Sequence, residues 1–129
     1  MTVDIGSVIE EVCRGLTAMR YRFFKRAVVR GRSGLNHVFD FLVVKSMVKV
    51  GIDFLIRGDP VYAVMSIIGK HIDTGVFCLV ASYLEKQPPE FMLKVEGVMV
   101  LYKPDPGEIV GAVRRVYEDL CGLLRRSNI

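Results

Sequence analysis

The chain has 129 residues, enough for one domain (1–129) around a single core. A hydrophobic content of 51% and a mean hydropathy of +0.35 exclude disorder, and no stretch reaches the roughly 18 uninterrupted apolar residues of a membrane helix. The formal charge is +4, and its placement matters more than its size: between Glu11 and Asp40 there is no acid, while Arg14, Arg20, Arg22, Lys25, Arg26, Arg30 and Arg32 fall in that interval. Such a one-signed segment makes a local positive field suited to phosphates, or else a solvated face.

The N-terminus carries Asp4 and no basic region, so a signal peptide is not expected and a cytoplasmic protein is. Cys13, Cys78 and Cys121 are far apart with no CxxC pair, which argues against a zinc ribbon or a disulfide framework and for free, mostly buried thiols. Asn occurs only at Asn36 and Asn128 and Gln only at Gln87, a composition of heat-adapted proteins.

In chain order, Ile5, Val8, Ile9, Val12, Leu16 and Met19 recur at spacings of three and four and predict a helix over 5–19. "YRFFKRAVVRGR" is β-rich and reads as a strand, "GRSG" as a turn, and "HVFDFLVV" as a second, densely apolar strand with Asp40 in its middle. Val48, Val50, Ile52, Phe54 and Ile56 alternate at period two and predict a third strand. Pro60 then fits the first turn of an apolar helix, "VYAVMSIIGKHI", and His71 and Asp73 fall in its C-terminal cap region. "GVFCLVASYL" is a buried strand, "EKQPPEFMLKVEG" a Pro-broken loop with a short helix, and "VMVLY" a short strand. The last segment is a helix with an apolar stripe of Ile109, Val113, Val116, Tyr117, Leu120, Leu123 and Leu124. A meander followed by an α crossover and buried strands predicts an α/β three-layer domain, a central mixed sheet flanked by helices.

This order, with Gly6 and Glu10 on the first helix, the Ser33–Gly34 turn and the His37-to-Asp40 strand, resembles the PD-(D/E)xK nuclease superfamily, the restriction-endonuclease-like fold. Within it the chain looks most like archaeal restriction-type and Holliday-junction-resolvase-like domains. The resemblance implies a Mg²⁺ site in which Asp40 is one ligand. It also implies that the next strand supplies a second acid and, two residues on, a Lys that orients or activates water. Here the third strand reads "VGIDFLIRG". If Asp53 is the acid, Leu55 stands at the Lys position; if Arg57 stands there, Leu55 is at the acid position. Arg is a poor general base but can clamp a phosphate. A second similarity, of "VVKSMVKVGIDFLIRGDPVYAV" to the metal-free catalytic domain of tRNA-splicing endonucleases, lacks that family's His after the strand and a later Lys in a comparable setting.

Candidate catalytic residues are therefore Asp40, Glu10, Asp53 and Arg57, with Asp40 and Asp53 as metal ligands. Candidate nucleic-acid contacts are Arg22, Lys25, Arg26, Arg30, Arg32 and His37. Three readings stay open. The first is a catalytically degenerate nuclease-fold domain that binds DNA through the basic segment. The second is an active Mg²⁺-dependent endonuclease with Asp40 and a migrated base. The third is a structural or adaptor subunit acting as a homodimer or within a larger complex. A cofactor, Mg²⁺, is expected only if the domain is active.

Overall fold

The computed structural model describes residues 4–127, with Cys121 and residues 123–127 described by backbone alone. Its elements run α1 (Ile5–Ala18), β1 (Arg22–Arg30), β2 (Asn36–Lys45), β3 (Val48–Leu55), α2 (Pro60–Thr74), β4 (Phe77–Ser82), a 3-10 turn (Glu90–Lys94), β5 (Val98–Tyr102) and α3 (Pro106–Ser127). The five strands form one sheet in the order β1-β2-β3-β4-β5. The first three make an antiparallel meander, and β3, β4 and β5 are parallel. This is the mixed-sheet α/β domain expected from the element order. Among the described residues no helix is long and apolar enough to cross a membrane.

Two apolar layers enclose the sheet. On one face, Val8, Val12 and Leu16 of α1 and Ile109, Val113, Val116 and Tyr117 of α3 pack on Phe41, Val43, Val50, Ile52, Phe54, Leu79 and Ala81. On the other, Ile67 of α2 and Val76 pack with Phe39, Leu42, Cys78, Val80 and Val98. The stripe expected on α3 is thus its buried face as far as Leu120; the side chains of Leu123 and Leu124 lie outside the described residues. Cys78 is a buried thiol pushed up to about 12 by burial, and Cys13 is half-buried. Cys121 lies outside the described side chains.

The strand alternation breaks at one place. Successive residues of a strand face opposite sides, so Phe39 and Phe41 should share a face. Instead Phe39 lies in the α2 layer and Phe41 in the α1/α3 layer. Opposite Asp40 on β1, Arg26 has φ 48, and Phe23 and Ala27 likewise fall in different layers. Local irregularities of this kind re-aim side chains, and they cluster beside functional sites. Gly51 of β3 makes room for the redirected ring: a Cβ there would sit 2.2 Å from Phe39.

Candidate functional site: a strand fork closed by a lysine

The β2–β3 ladder runs from Lys45↔Val48 to Phe41↔Ile52 and stops. The next two residues are Asp40 and Asp53. In place of the ladder bonds, the backbone N–H of Asp40 donates to Oδ1 of Asp53 at 3.1 Å, and that of Phe54 donates to Oδ2 of Asp40 at 2.9 Å. Beyond this point β2 pairs only with β1, and β3 only with β4. The two strands therefore fork, with a carboxylate from each at the apex.

A lysine from the helix closes the fork. Lys70 of α2 reaches Asp53 Oδ2 at 2.7 Å and donates to the carbonyl of Val38, which lies beyond the last β2–β3 pair. Its ammonium lies 4.2 Å from the centroid of the Phe39 ring, a cation–π arrangement. The two charged side chains are mostly withdrawn from solvent. Burial raises the Asp53 carboxyl above its ordinary value, and the bonds from Lys70 and from the Asp40 N–H only partly offset this.

A second cluster fastens the far end of the hairpin. The Asp73 carboxylate, on the last turn of α2, accepts from the N–H of Ser33 at 2.8 Å and from its hydroxyl at 2.6 Å. His37 Nε2 lies 2.7 Å from the same carboxylate. The Arg32 N–H donates to the Asp73 carbonyl. Gly31 permits this approach, because a Cβ there would sit 1.9 Å from an Asp73 oxygen.

Several expected site residues stand elsewhere. Glu10 is exposed on α1 and pairs with Arg14 at 3.8 Å, one helical turn on. Among the described residues no set of three His, Cys, Asp or Glu gathers to hold a metal, so Glu10 does not join Asp40 and Asp53. Arg57 lies exposed past the end of β3, and the partner of Asp53 is Lys70 instead. His37 is not turned to a ligand, being engaged by Asp73 and half-buried. Asp73, read from sequence only as part of a helix-end region, is the anchor of the hairpin. Arg22, Lys25, Arg26, Arg30 and Arg32 are all exposed.

Lys70 was not among the sequence candidates. Its signal was present: it stands three residues after the buried Ile67, so a lone cation lies on the inward face of an otherwise apolar helix. A different cavity, an open apolar groove of about 1200 Å³ lined by Met47, Val48, His71, Phe77, Met99 and Leu120, lies at the opposite end of β3 and contains none of the fork residues.

Comparison with known proteins adds a fold likeness. No protein-family model matches the chain, and no curated protein matches it. Among solved structures it is similar to AF1548, a protein of unknown function, with a TM-score of 0.58 and 13% identity. The match covers 80% of this chain and 64% of that one, so the chain spans less than two thirds of that structure. At that identity the likeness speaks for a shared fold alone.

Proposed function

We propose that the chain is a restriction-endonuclease-like domain that binds nucleic acid on its basic hairpin and hydrolyses a phosphodiester bond at the strand fork. The observation that carries this reading is Lys70. The expected third-strand lysine is absent, yet an ammonium sits 2.7 Å from the second acid, delivered from α2. Of the three readings of the sequence, this favours the active endonuclease with a migrated base.

Asp40 and Asp53 would hold a divalent cation. They are hard oxygen donors, and Mg²⁺ is commonly bound by one or two carboxylates with water completing its shell. Oδ1 of Asp40 accepts no hydrogen bond from the described residues and is the open ligand atom. When bound, the cation would lower the pKa of an attacking water and neutralise developing charge on phosphate. The chain's own contribution is positional. Lys70 has three N–H donors, of which Asp53 and Val38 take two, leaving one for a water or a phosphoryl oxygen. The hydrogen bonds donated by the Asp40 and Phe54 N–H groups fix both carboxylates before any ligand arrives. The exposed Arg22, Lys25, Arg26, Arg30 and Arg32 would track the backbone phosphates.

The test is calorimetric titration of Mn²⁺ into wild-type protein and Asp40→Asn, with plasmid and branched-DNA cleavage on the same samples. Wild type is expected to bind metal and cut. Asp40→Asn should bind no metal and lose cleavage by about 100-fold or more. Lys70→Met should lose cleavage with metal binding kept, and Lys70→Arg, which preserves the charge opposite Asp53, controls for folding. Absence of metal binding and cleavage in wild type, with DNA binding retained, would establish a non-catalytic nucleic-acid-binding domain instead.

A further inference from the structure

We propose that the outer face of the β1–β2 hairpin over residues 27–39 is a ribbon that docks in the major groove of duplex DNA. This rests on the nuclease reading and names its substrate as double-stranded.

The fork leaves the ribbon without a strand on its β3 side. Beyond Asp40 the register pairs Ala27↔Phe39, Val28↔Val38, Val29↔His37 and Arg30↔Asn36 have no third strand beside them. One face of this stretch is covered: Ala27, Val29 and Phe39 lie in the α2 layer, and Asp73 holds Ser33 and His37. The opposite face is bare. Val28 is 61% exposed and Val38, its cross-strand neighbour, is 53% exposed. Exposed Arg26 and Arg30 flank this apolar pair on β1, and Leu35 at the tip is 65% exposed.

Charge selects the occupant. The hairpin has no acid before Asp40, and the nearby Asp73 carboxylate is consumed by Ser33 and His37. A second copy of the same face would bring arginines against arginines, whereas a polyanion is complementary. Shape selects the groove. A two-stranded ribbon fits the major groove, about 12 Å wide, and not the minor groove, about 6 Å wide. The four pairs give about 10 Å of ribbon to lie along the groove. Valine side chains then meet base edges and thymine methyls, arginines meet the flanking phosphates, and the fork at the ribbon's base faces the strand at the groove's rim.

The experiment measures binding of the 129-residue chain to a labelled short duplex and to its single strand by fluorescence anisotropy, in EDTA so that nothing is cut. The double variant Val28→Ser/Val38→Ser alters only exposed positions, and a thermal melt checks that it is folded. It should bind duplex about 10-fold more weakly, with single-strand affinity unchanged. A duplex carrying glucosylated hydroxymethylcytosine, which fills the major groove, should bind at least as poorly. Netropsin in the minor groove should not compete. The proposal is overturned if the double variant binds duplex like wild type, if netropsin displaces the protein, or if sedimentation shows a dimer that the double variant dissociates. Because EDTA separates binding from cleavage, a failed cleavage assay with groove binding intact would count against catalysis alone. Cleavage together with an unaffected double variant would count against the ribbon alone.

Discussion

Asp73 accepts hydrogen bonds from the Ser33 N–H, the Ser33 hydroxyl and His37, and together they hold its carboxyl at about 2, below the ordinary 3.8. A depressed carboxylate contributes stability that is present above its ordinary pKa and lost as pH falls through the folded value. Thermal melts followed by circular dichroism should therefore fall between pH 4 and pH 2 more steeply for wild type than for Asp73→Asn. Asp53 works in the opposite sense: its raised pKa means that the stability it contributes is full in acid and declines as pH rises through the folded value. At this scale the sequence was readable where a residue broke a pattern. Asp40 stood out as a carboxylate inside an apolar strand, and the structure sets it at the fork. Lys70 is not legible from strand spacing, because the cation arrives from a helix seventeen positions along the chain from Asp53.

The elements themselves were legible almost throughout, because period two, period 3.6 and the Gly and Pro punctuation agree in each segment. The face switch was not. Nothing in "HVFDFLVV" distinguishes a regular strand from one whose alternation breaks at Asp40, since residues on both sides are apolar and both faces of the sheet are covered. The switch depends on tertiary space, and Gly51 provides it. Phe39 is fully buried, so its ring has nowhere to retreat from a methyl group placed on β3. Gly51→Ala should cost about 1–3 kcal/mol by overpacking. Urea unfolding would read this as a lower midpoint at unchanged slope. A midpoint equal to wild type would mean that Phe39 is not held against Gly51.

For the molecule as a whole, charge distribution predicts how binding responds to salt. Five exposed cations, Arg22, Lys25, Arg26, Arg30 and Arg32, lie on or beside the hairpin. If all five meet phosphates of a duplex, the logarithm of the affinity should fall against the logarithm of salt concentration with a slope of about −4.5. Each neutralised by substitution, as in Arg30→Gln, should reduce the slope by about one. A slope near zero in wild type would remove the electrostatic basis for nucleic-acid binding. The basic segment was visible in the sequence as a run without acids, but its presentation was not. Placing those cations on a hairpin with one bare face depends on the fork and on the Asp73 anchor, both of which join residues far apart in the chain.

A lysine carried by a helix obeys a different rule of register from one carried by a strand. On β3 its reach would be set by the pleat; on α2 it is set by the angular phase of the helix. That phase is fixed at the first turn, where Asp59 accepts from the N–H groups of Val61 and Tyr62 and Pro60 begins the coil. One residue added or lost between that cap and Lys70 rotates the ammonium by about 100° around the axis, out of the fork, and carries Asp73 away from Ser33 and His37 with it. The tolerance of this domain to insertions is accordingly lopsided: a lengthened loop before Asp59 leaves the chemistry aligned, and a single extra residue after it does not.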